Sequence, residues 1–202
     1  MANSSIVIAA ARRTPIGTLN GALAPLAAHE LGAIAIKAAL GDARVEPAEV
    51  DETILGQVLT AGQGMNPARQ AARLAGIADA APAASVNQVC GSGLRAVALA
   101  LQQIQTGSAD IVVAGGQESM SNAPYLLAKA RGGYRAGHDR IIDHMMMDGL
   151  EDAYETGRSM GDFGEATAEA YQFTRKDQDA YAMETLTRAR KAVEGGAFKA
   201  EI

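Results

Sequence analysis

A short apolar segment and a helix meet at a single cysteine in the run Ser85-Val-Asn-Gln-Val-Cys-Gly-Ser-Gly-Leu-Arg-Ala-Val-Ala-Leu99. The residues before Cys90 favour a β-strand, and Gly91 and Gly93 lead into the helix. A thiol at this junction lies near the N-terminal end of the helix, where unpaired backbone N–H groups and the helix dipole favour negative charge. Because the thiolate is the reactive form of cysteine, Cys90 is predicted to be a nucleophile.

Two other interpretations of the same run deserve comparison. A lone cysteine is most often a small buried hydrophobic residue, and Cys90 is open to that interpretation too. A glycine-rich turn between strand and helix also suggests a phosphate-binding loop. However, Ala96 stands where the dinucleotide fingerprint has its third glycine, and no Gly-Lys-Ser/Thr follows. The phosphate-loop interpretation is therefore rejected, and the nucleophile is preferred.

The composition is that of a globular protein rather than a nucleic-acid-binding one. The chain has 202 residues, 48% of them hydrophobic and 20% charged, and a formal net charge of −5. This balance provides no basic surface for nucleic acid. One cysteine excludes an internal disulfide and favours a reducing compartment. The sequence shows no secretory leader and no membrane-spanning run, so we expect a cytoplasmic location.

Strand and helix patterns alternate along the first half of the chain. This order predicts an α/β fold with parallel strands and with helices on both faces of the sheet. The helix over 29–40 is predicted to bury Leu31, Ile34, Ala35 and Ala38. Ligand sites of such sheets lie at the carboxyl ends of strands, where Cys90 is expected. The predicted strands are Ile6 to Ala11 (buried), Glu52 to Leu59, Ser85 to Val89 and Asp110 to Ala114; the further helices begin at Asn66-Pro67 and after Cys90.

The pattern changes after Gly116. Residues 118–150 show no clear period, and a long irregular segment of this kind in a compact protein is usually functional. Thr174 and Asp177 then have the spacing of a capping box that opens a helix ending near Gly195. Its predicted buried face comprises Ala182, Leu186, Ala189 and Val193.

Other residues with chemical potential are given structural roles. His29, His138 and His144 belong to no recognisable catalytic motif and are interpreted as surface or packing residues. Glu118 and Asp110 are interpreted as solvated or capping carboxylates rather than as an acid/base pair, because they lie at opposite ends of a predicted strand.

The segment around Cys90 resembles the acyl-enzyme cysteine motif of the thiolases, and within them of the acetyl-CoA acetyltransferases. The resemblance covers essentially the whole chain. The matching segments are Asn87-Gln-Val-Cys-Gly-Ser-Gly-Leu-Arg95, Arg13-Thr-Pro-Ile-Gly17, Gly56-Gln-Val-Leu59, Asn66-Pro-Ala-Arg-Gln-Ala-Ala-Arg73, Ala114-Gly-Gly-Gln-Glu-Ser-Met-Ser121 and Asp148-Gly-Leu150.

The resemblance implies a layered αβαβα fold of two similar halves, of which this chain is the first. It implies an N-terminal α/β domain over 1–118 and a loop domain over 119–202 that covers coenzyme A and supports tetramer assembly. Leu150 and Met160 match residues lining the coenzyme A and acyl site. Some relatives have a histidine where this chain has Ser159, so Ser159 is a less certain member of that site. No metal or organic cofactor is implied besides coenzyme A thioesters as substrates.

The implied reaction is the Claisen condensation of two acetyl-CoA molecules to acetoacetyl-CoA, or its reverse, through an acetyl-Cys90 thioester. The family's Gly-His-Pro histidine, its acid/base cysteine and its Asn-Glu-Ala-Phe asparagine have no counterpart in this sequence. We therefore expect a second half, on the same or another chain, without which this chain is inactive. Two alternatives stay open: a degradative thiolase of longer ketoacyl chains, and a non-catalytic module for acyl-CoA binding or assembly.

Overall fold

The fold is described from a computed structural model that covers residues 5–202. The chain forms two compact units, Met1–Gly149 and Leu150–Ile202, which are described separately. The predicted domain division between residues 118 and 119 refers to the domains of the family and stays a prediction.

A three-stranded parallel sheet forms the centre of the first unit. Its middle strand is β1 (Glu52–Gly56), with β2 (Ala83–Val86) on one side and β3 (Val112–Gly116) on the other. Residues 53–56 of β1 are buried, as expected for a strand that is covered on both faces. The predicted α/β class with parallel strands is confirmed.

Three helices pack around this sheet: α1 (Ala28–Ala43), α2 (Pro67–Ala75) and α3 (Ser92–Gln105). α2 begins and ends as its sequence predicts, because Asn66 accepts a hydrogen bond from the Arg69 N–H and Gly76 adopts a φ of +94°. α1 and α2 pack against each other, and α3 packs on β1 and β3. The main apolar cluster comprises Ala33, Ile36, Leu40, Val50, Leu55, Ala68, Ala71, Ala72, Ala75, Ile77 and Ala81.

The predicted buried face of α1 is wrong. The helix buries Ala33, Ile36 and Leu40, whereas Ile34 is 49% exposed. Apolar residues surround most of this helix, so their spacing alone does not distinguish one face from another. The face of α1 that carries Gly32 is the packed face, because Gly32 lies directly against the side chain of Gln117.

The predicted strand from Ile6 to Ala11 is also wrong. These residues form no regular structure, and Val7 and Ile8 are 73% and 78% exposed. A strand needs a neighbour to satisfy its backbone N–H and C=O groups. Within residues 5–202, no strand pairs with this segment, and the sheet consists of β1 and its two neighbours. An apolar, β-branched composition is therefore not enough to predict a strand, because it does not specify a pairing partner.

The irregular segment after β3 contains short regular pieces. β4 (Tyr125–Leu126) and β5 (Ile142–Asp143) pair antiparallel, and residues Met146–Leu150 form a π-helical turn. Short 3₁₀ turns cover Pro47–Glu49 and Met120–Asn122. Two-residue strands carry too little pattern to be recognised in a sequence.

The second unit contains α4 (Met160–Ala170) and α5 (Arg175–Glu194). The capping box that opens α5 is confirmed, since the Asp177 N–H donates to the Thr174 hydroxyl and the Thr174 N–H donates to the Asp177 carboxylate. The predicted burial of Leu186 and Val193 is wrong, because both are exposed and α5 buries none of its residues. In the part of the chain that the structure describes, no helix is long and apolar enough to cross a membrane.

Candidate active site

The turn that carries Cys90 connects the carboxyl end of β2 to the start of α3. Val89 has a φ of +49°, which is strained for a β-branched residue. Local side chains hold this conformation: Asn87 accepts the Val89 N–H at 2.8 Å, while the Ser92 hydroxyl accepts the Gln88 N–H at 2.8 Å and donates to the Val89 carbonyl at 2.6 Å. Strain of this kind often marks functional sites, where the surrounding structure maintains it.

Cys90 is exposed and immediately precedes Gly91, the N-cap residue of α3. The structure therefore places the thiol where the sequence predicts it, between a strand end and a helix start. Its environment is open rather than a closed core, so the interpretation of Cys90 as a buried hydrophobic residue is wrong.

Glycines allow the first turn of α3 to lie directly on the strand ends. A Cβ on Gly56, the last residue of β1, would lie 2.6 Å from both the Gly93 nitrogen and the Ser92 Cβ. A Cβ on Gly116, the last residue of β3, would lie 3.4 Å from the Gly56 carbonyl oxygen and 3.5 Å from the Gly93 Cα. No larger residue fits at Gly56 without moving backbone, so the position of the Cys90 turn depends on this contact.

Buried amides continue the site along the carboxyl edge of the sheet. The Gln117 side-chain amide donates to the Gln57 side-chain oxygen at 2.9 Å, and the Gln57 amide donates to the Leu59 carbonyl at 3.1 Å. The Gln57 N–H also donates to the Val86 carbonyl at 3.0 Å. Gln57 thus connects the end of β1 to Gln117 after β3 and to the end of β2, just before the Cys90 turn.

Glu118 closes the same edge with a half-buried carboxylate. It accepts the Val58 N–H at 2.8 Å and the Leu59 N–H at 3.2 Å. Burial raises the pKa of Glu118, while these two hydrogen bonds and the nearby His144 ring oppose the rise. Asp110 lies at the other end of the sheet, where its N–H donates to the Asp51 carboxylate at 2.8 Å. The two carboxylates therefore do not form an acid/base pair.

His144 is the residue whose surroundings the sequence did not reveal. Its side chain is buried, with Nδ1 at 2.6 Å from Asp148 Oδ2 and Nε2 at 3.3 Å from the Ala61 nitrogen. The spacing of four residues between His144 and Asp148 was the available sign, but it is common on helices. The bond to Ala61 joins distant parts of the chain and has no signature in the sequence.

The predicted coenzyme A residues Leu150, Ser159 and Met160 belong to the second unit. Ser159 caps α4: its N–H and hydroxyl donate to the Asp162 carboxylate at 2.7 and 2.9 Å. These bonds, the backbone one first, lower the pKa of Asp162. Met160 is exposed and Leu150 is half-buried. Ser159 also pairs by an antiparallel bridge with Glu151, the residue after Leu150. Their role in binding stays a prediction.

Among residues 5–202, no group of three or more His, Cys, Asp or Glu side chains is arranged to hold a metal ion. The candidate reactive group of the first unit is the accessible thiol of Cys90 at its glycine-lined turn.

Comparison with known proteins identifies similar sequences along the whole chain. Residues 6–202 match the family described as thiolase, N-terminal domain. The acetyl-CoA acetyltransferases of Rhizobium meliloti and Shinella zoogloeoides are 54% and 53% identical over 202 residues, all of this chain and 51% of each relative. The acetyl-CoA acetyltransferase of Pseudomonas aeruginosa is 50% identical over 197 residues, covering 98% of this chain and 50% of that protein. The chain thus spans about half the length of these relatives.

Proposed function

We propose, from the premise that this chain belongs to the thiolase family and matches its N-terminal domain, that it is the nucleophile-bearing half of an acetyl-CoA acetyltransferase. The observation that carries the proposal is the exposed thiol of Cys90 at the strained turn before α3. The names of the related proteins support acetyl-CoA as substrate.

In the first step, the Cys90 thiolate attacks the carbonyl carbon of acetyl-CoA. The C–S bond to coenzyme A breaks, coenzyme A leaves as a thiolate that takes up a proton, and an acetyl-Cys90 thioester remains. The proton of the Cys90 thiol must pass to a base, which we assign to the other half of the protein. Backbone N–H groups at the turn, that of Cys90 included, would stabilise the developing oxyanion.

In the second step, a second acetyl-CoA loses a methyl proton to the acid/base cysteine of the other half. The resulting carbanion attacks the acetyl-Cys90 carbonyl, a C–C bond forms, and the Cys90 thiolate leaves to give acetoacetyl-CoA. The reverse sequence cleaves a 3-ketoacyl-CoA with free coenzyme A. A covalent intermediate of this kind predicts ping-pong kinetics.

The remaining assignments belong to the same proposal. Residues 1–118 are the α/β domain and 119–202 part of the loop domain, in which Leu150, Ser159 and Met160 line the coenzyme A and acyl site. We propose a homo-oligomer, a dimer or tetramer, that uses coenzyme A thioesters as substrates and needs no further cofactor. A cytoplasmic location suits a catalytic thiol, which requires reducing conditions.

The test is acetylation of the complete protein by acetyl-CoA, followed by digestion and mass spectrometry. We expect one acetyl group on the peptide that contains Cys90, its loss after pretreatment with iodoacetamide, and no acetylation in Cys90→Ala. A protein that binds acetyl-CoA but leaves Cys90 unmodified would contradict the proposal and favour the non-catalytic module. Turnover that increases with the acyl length of the ketoacyl-CoA would instead favour the degradative thiolase.

A further inference from the structure

The hydroxyl of Ser92 is a buried polar group that bonds back to the turn before its own helix. Ser92 is the first residue of α3 and is 4% exposed. Its hydroxyl accepts the Gln88 N–H at 2.8 Å and donates to the Val89 carbonyl at 2.6 Å. A capping side chain accepts an N–H from the first turn of the helix that follows it. Ser92 instead fixes the backbone that precedes α3.

Two side chains hold three consecutive peptide groups of this turn. Ser92 bonds to the Gln88 N–H of the first group and to the Val89 carbonyl of the third, while Asn87 Oδ1 accepts the N–H of the second at 2.8 Å. The Val89 carbonyl also accepts the Ser92 N–H at 3.1 Å. The strained dihedral angles of Val89 lie between the second and third groups, so the backbone is fixed on both sides of the strain.

The third peptide group also contains the Cys90 N–H. In a trans peptide the C=O and N–H bonds point in opposite directions, and the described residues contain no cis peptide bond. Because the Val89 carbonyl is directed at the first residue of α3, the Cys90 N–H is directed away from that helix. Within residues 5–202 this N–H makes no hydrogen bond. The turn therefore presents an open backbone donor on the same residue as the exposed thiol.

We propose that Ser92, supported by Asn87, is a positioning residue that orients the Cys90 N–H towards the oxygen of the incoming acetyl group. The inference rests on the proposed function, because it requires Cys90 to accept that group. When the Cys90 sulfur bonds to the carbonyl carbon, an electron pair moves onto the carbonyl oxygen, and a fixed N–H stabilises the new charge. Ser92 acts on this step only through the Val89–Cys90 peptide group.

The role of the hydroxyl is separable from the packing of α3. A Cβ on Gly56 would lie 2.4 Å from the Ser92 carbonyl carbon and 2.6 Å from the Ser92 Cβ, so the backbone and the Cβ of Ser92 make the contact with β1. Ser92→Ala retains these atoms and removes only the oxygen. It is the smallest change that eliminates both hydroxyl bonds to the turn.

The test compares two reactions of Cys90 in the complete protein, each followed by mass spectrometry of the Cys90 peptide. Acetylation by acetyl-CoA creates an oxyanion, whereas alkylation by iodoacetamide displaces iodide from a saturated carbon and creates none. We expect Ser92→Ala to slow acetylation about ten- to hundredfold and to leave alkylation within about twofold. The loss should appear in the rate at saturating acetyl-CoA, because the N–H interacts with charge that exists only in the transition state.

Ser85→Ala is the matched control. The Ser85 hydroxyl accepts the Ala68 N–H at 3.1 Å and lies 3.3 Å from Asn66 Oδ1, so it also bonds to a backbone donor, but at the start of α2. This variant should leave both rates unchanged. Asn87→Ala, at an exposed position, releases the second peptide group and should slow acetylation by a smaller factor than Ser92→Ala. It decides the proposal if Ser92→Ala does not fold.

The outcomes distinguish the positioning role from the proposed function. Unchanged acetylation in folded Ser92→Ala, or in Asn87→Ala if the serine variant does not fold, would overturn the positioning role. Equal slowing of acetylation and alkylation would also overturn it, since the change would then affect the thiol itself. In both cases acetylation of the unaltered protein still supports the proposed function. Failure of the unaltered protein to become acetylated at Cys90 contradicts the proposed function and this inference with it.

Discussion

The amino and carboxyl ends of the β1–β3 pair are each closed by one carboxylate that accepts two backbone N–H groups. Asp51 precedes β1, and one of its oxygens accepts from Asp110 at 2.8 Å and Ile111 at 2.9 Å, just before β3. Glu118 follows β3, and its two oxygens accept one N–H each from the residues after β1. The same contact thus joins the same two strands at both ends.

The pKa of the carboxylate shifts in opposite directions at the two ends. Hydrogen bonds from Ile111 and Asp110 lower the pKa of the exposed Asp51. Burial outweighs similar hydrogen bonds at Glu118 and raises its pKa. The carboxylate at the carboxyl end is therefore the more buried of the two, and the Cys90 turn lies at the same end of the sheet.

The largest expected effect comes from breaking the close packing at the carboxyl end. In Gly56→Ala the new methyl group would collide with the backbone of Ser92 and Gly93, and we expect a loss of about 3 kcal/mol in the free energy of unfolding. Gly41→Ala is the matched control, because a Cβ on Gly41 meets no atom within 4 Å. It should gain up to about 1 kcal/mol from helix propensity. Urea denaturation of the complete protein measures both. Equal changes in the free energy of unfolding for the two variants would contradict close packing that is specific to the carboxyl end.

Exchange of the two carboxylates for amides tests the comparison directly. In Glu118→Gln only one of the two N–H groups of Val58 and Leu59 keeps an acceptor, since the new NH₂ faces the other. We expect the unsatisfied donor to cost about 2 kcal/mol, reduced by relief of the buried charge that raises the pKa of Glu118. In Asp51→Asn the single oxygen that accepts both N–H groups is retained, so the expected loss is only that of the charge whose hydrogen bonds lower the pKa of Asp51. Urea denaturation at neutral pH gives both values.

The pH dependence of the same two variants is their control. Because the folded pKa of Glu118 is raised, its contribution to stability is present below its unfolded value, near 4.5, and is lost as pH rises through the folded value. Because the folded pKa of Asp51 is lowered, its contribution is present above 3.8 and is lost as pH falls through the folded value. Glu118→Gln should therefore remove the contribution to stability that is lost as pH rises, and Asp51→Asn should remove the contribution that is lost as pH falls. Two variants with the same pH profile would show that the ends do not differ.

Local signals predicted much of the carboxyl end. The position of Cys90 between strand and helix followed from composition and from Gly91 and Gly93, and the start of α2 followed from Asn66-Pro67. These features depend on neighbours within a few residues, so the local sequence is sufficient to predict them. The α/β class followed in the same way from alternating strand and helix patterns.

Contacts between distant residues were not predictable. The bond from Ala61 to His144 and the contact of Gly56 with Gly93 join residues far apart in sequence, and no local pattern marks them. The segment from Ile6 to Ala11 failed for a related reason, because a strand is defined by its partner as well as by its own composition. α4 was missed because Gly161 and Gly164 lower its helix propensity, which the capping by Ser159 offsets.

The smallest expected effect concerns backbone strain at the Cys90 turn. Val89 has a φ of +49° and a largely exposed side chain, so Val89→Gly relieves the strain with little loss of packing. We expect a gain of about 1 kcal/mol in the free energy of unfolding. If the strained turn positions Cys90, the same change should slow acetylation by acetyl-CoA, because a glycine allows the turn other conformations.

Arg44 provides the matched control outside the carboxyl end. It ends α1 with a φ of +55°, on the way to the amino end of β1, and its side chain is exposed. Arg44→Gly should also stabilise the protein, since glycine is preferred where a helix ends in this conformation, but it should leave the acetylation rate unchanged. Thermal unfolding and the rate of Cys90 acetylation are measured for both variants. If Val89→Gly stabilised without slowing acetylation, strain at the turn would contribute nothing to the nucleophile, and only burial and close packing would distinguish the two ends.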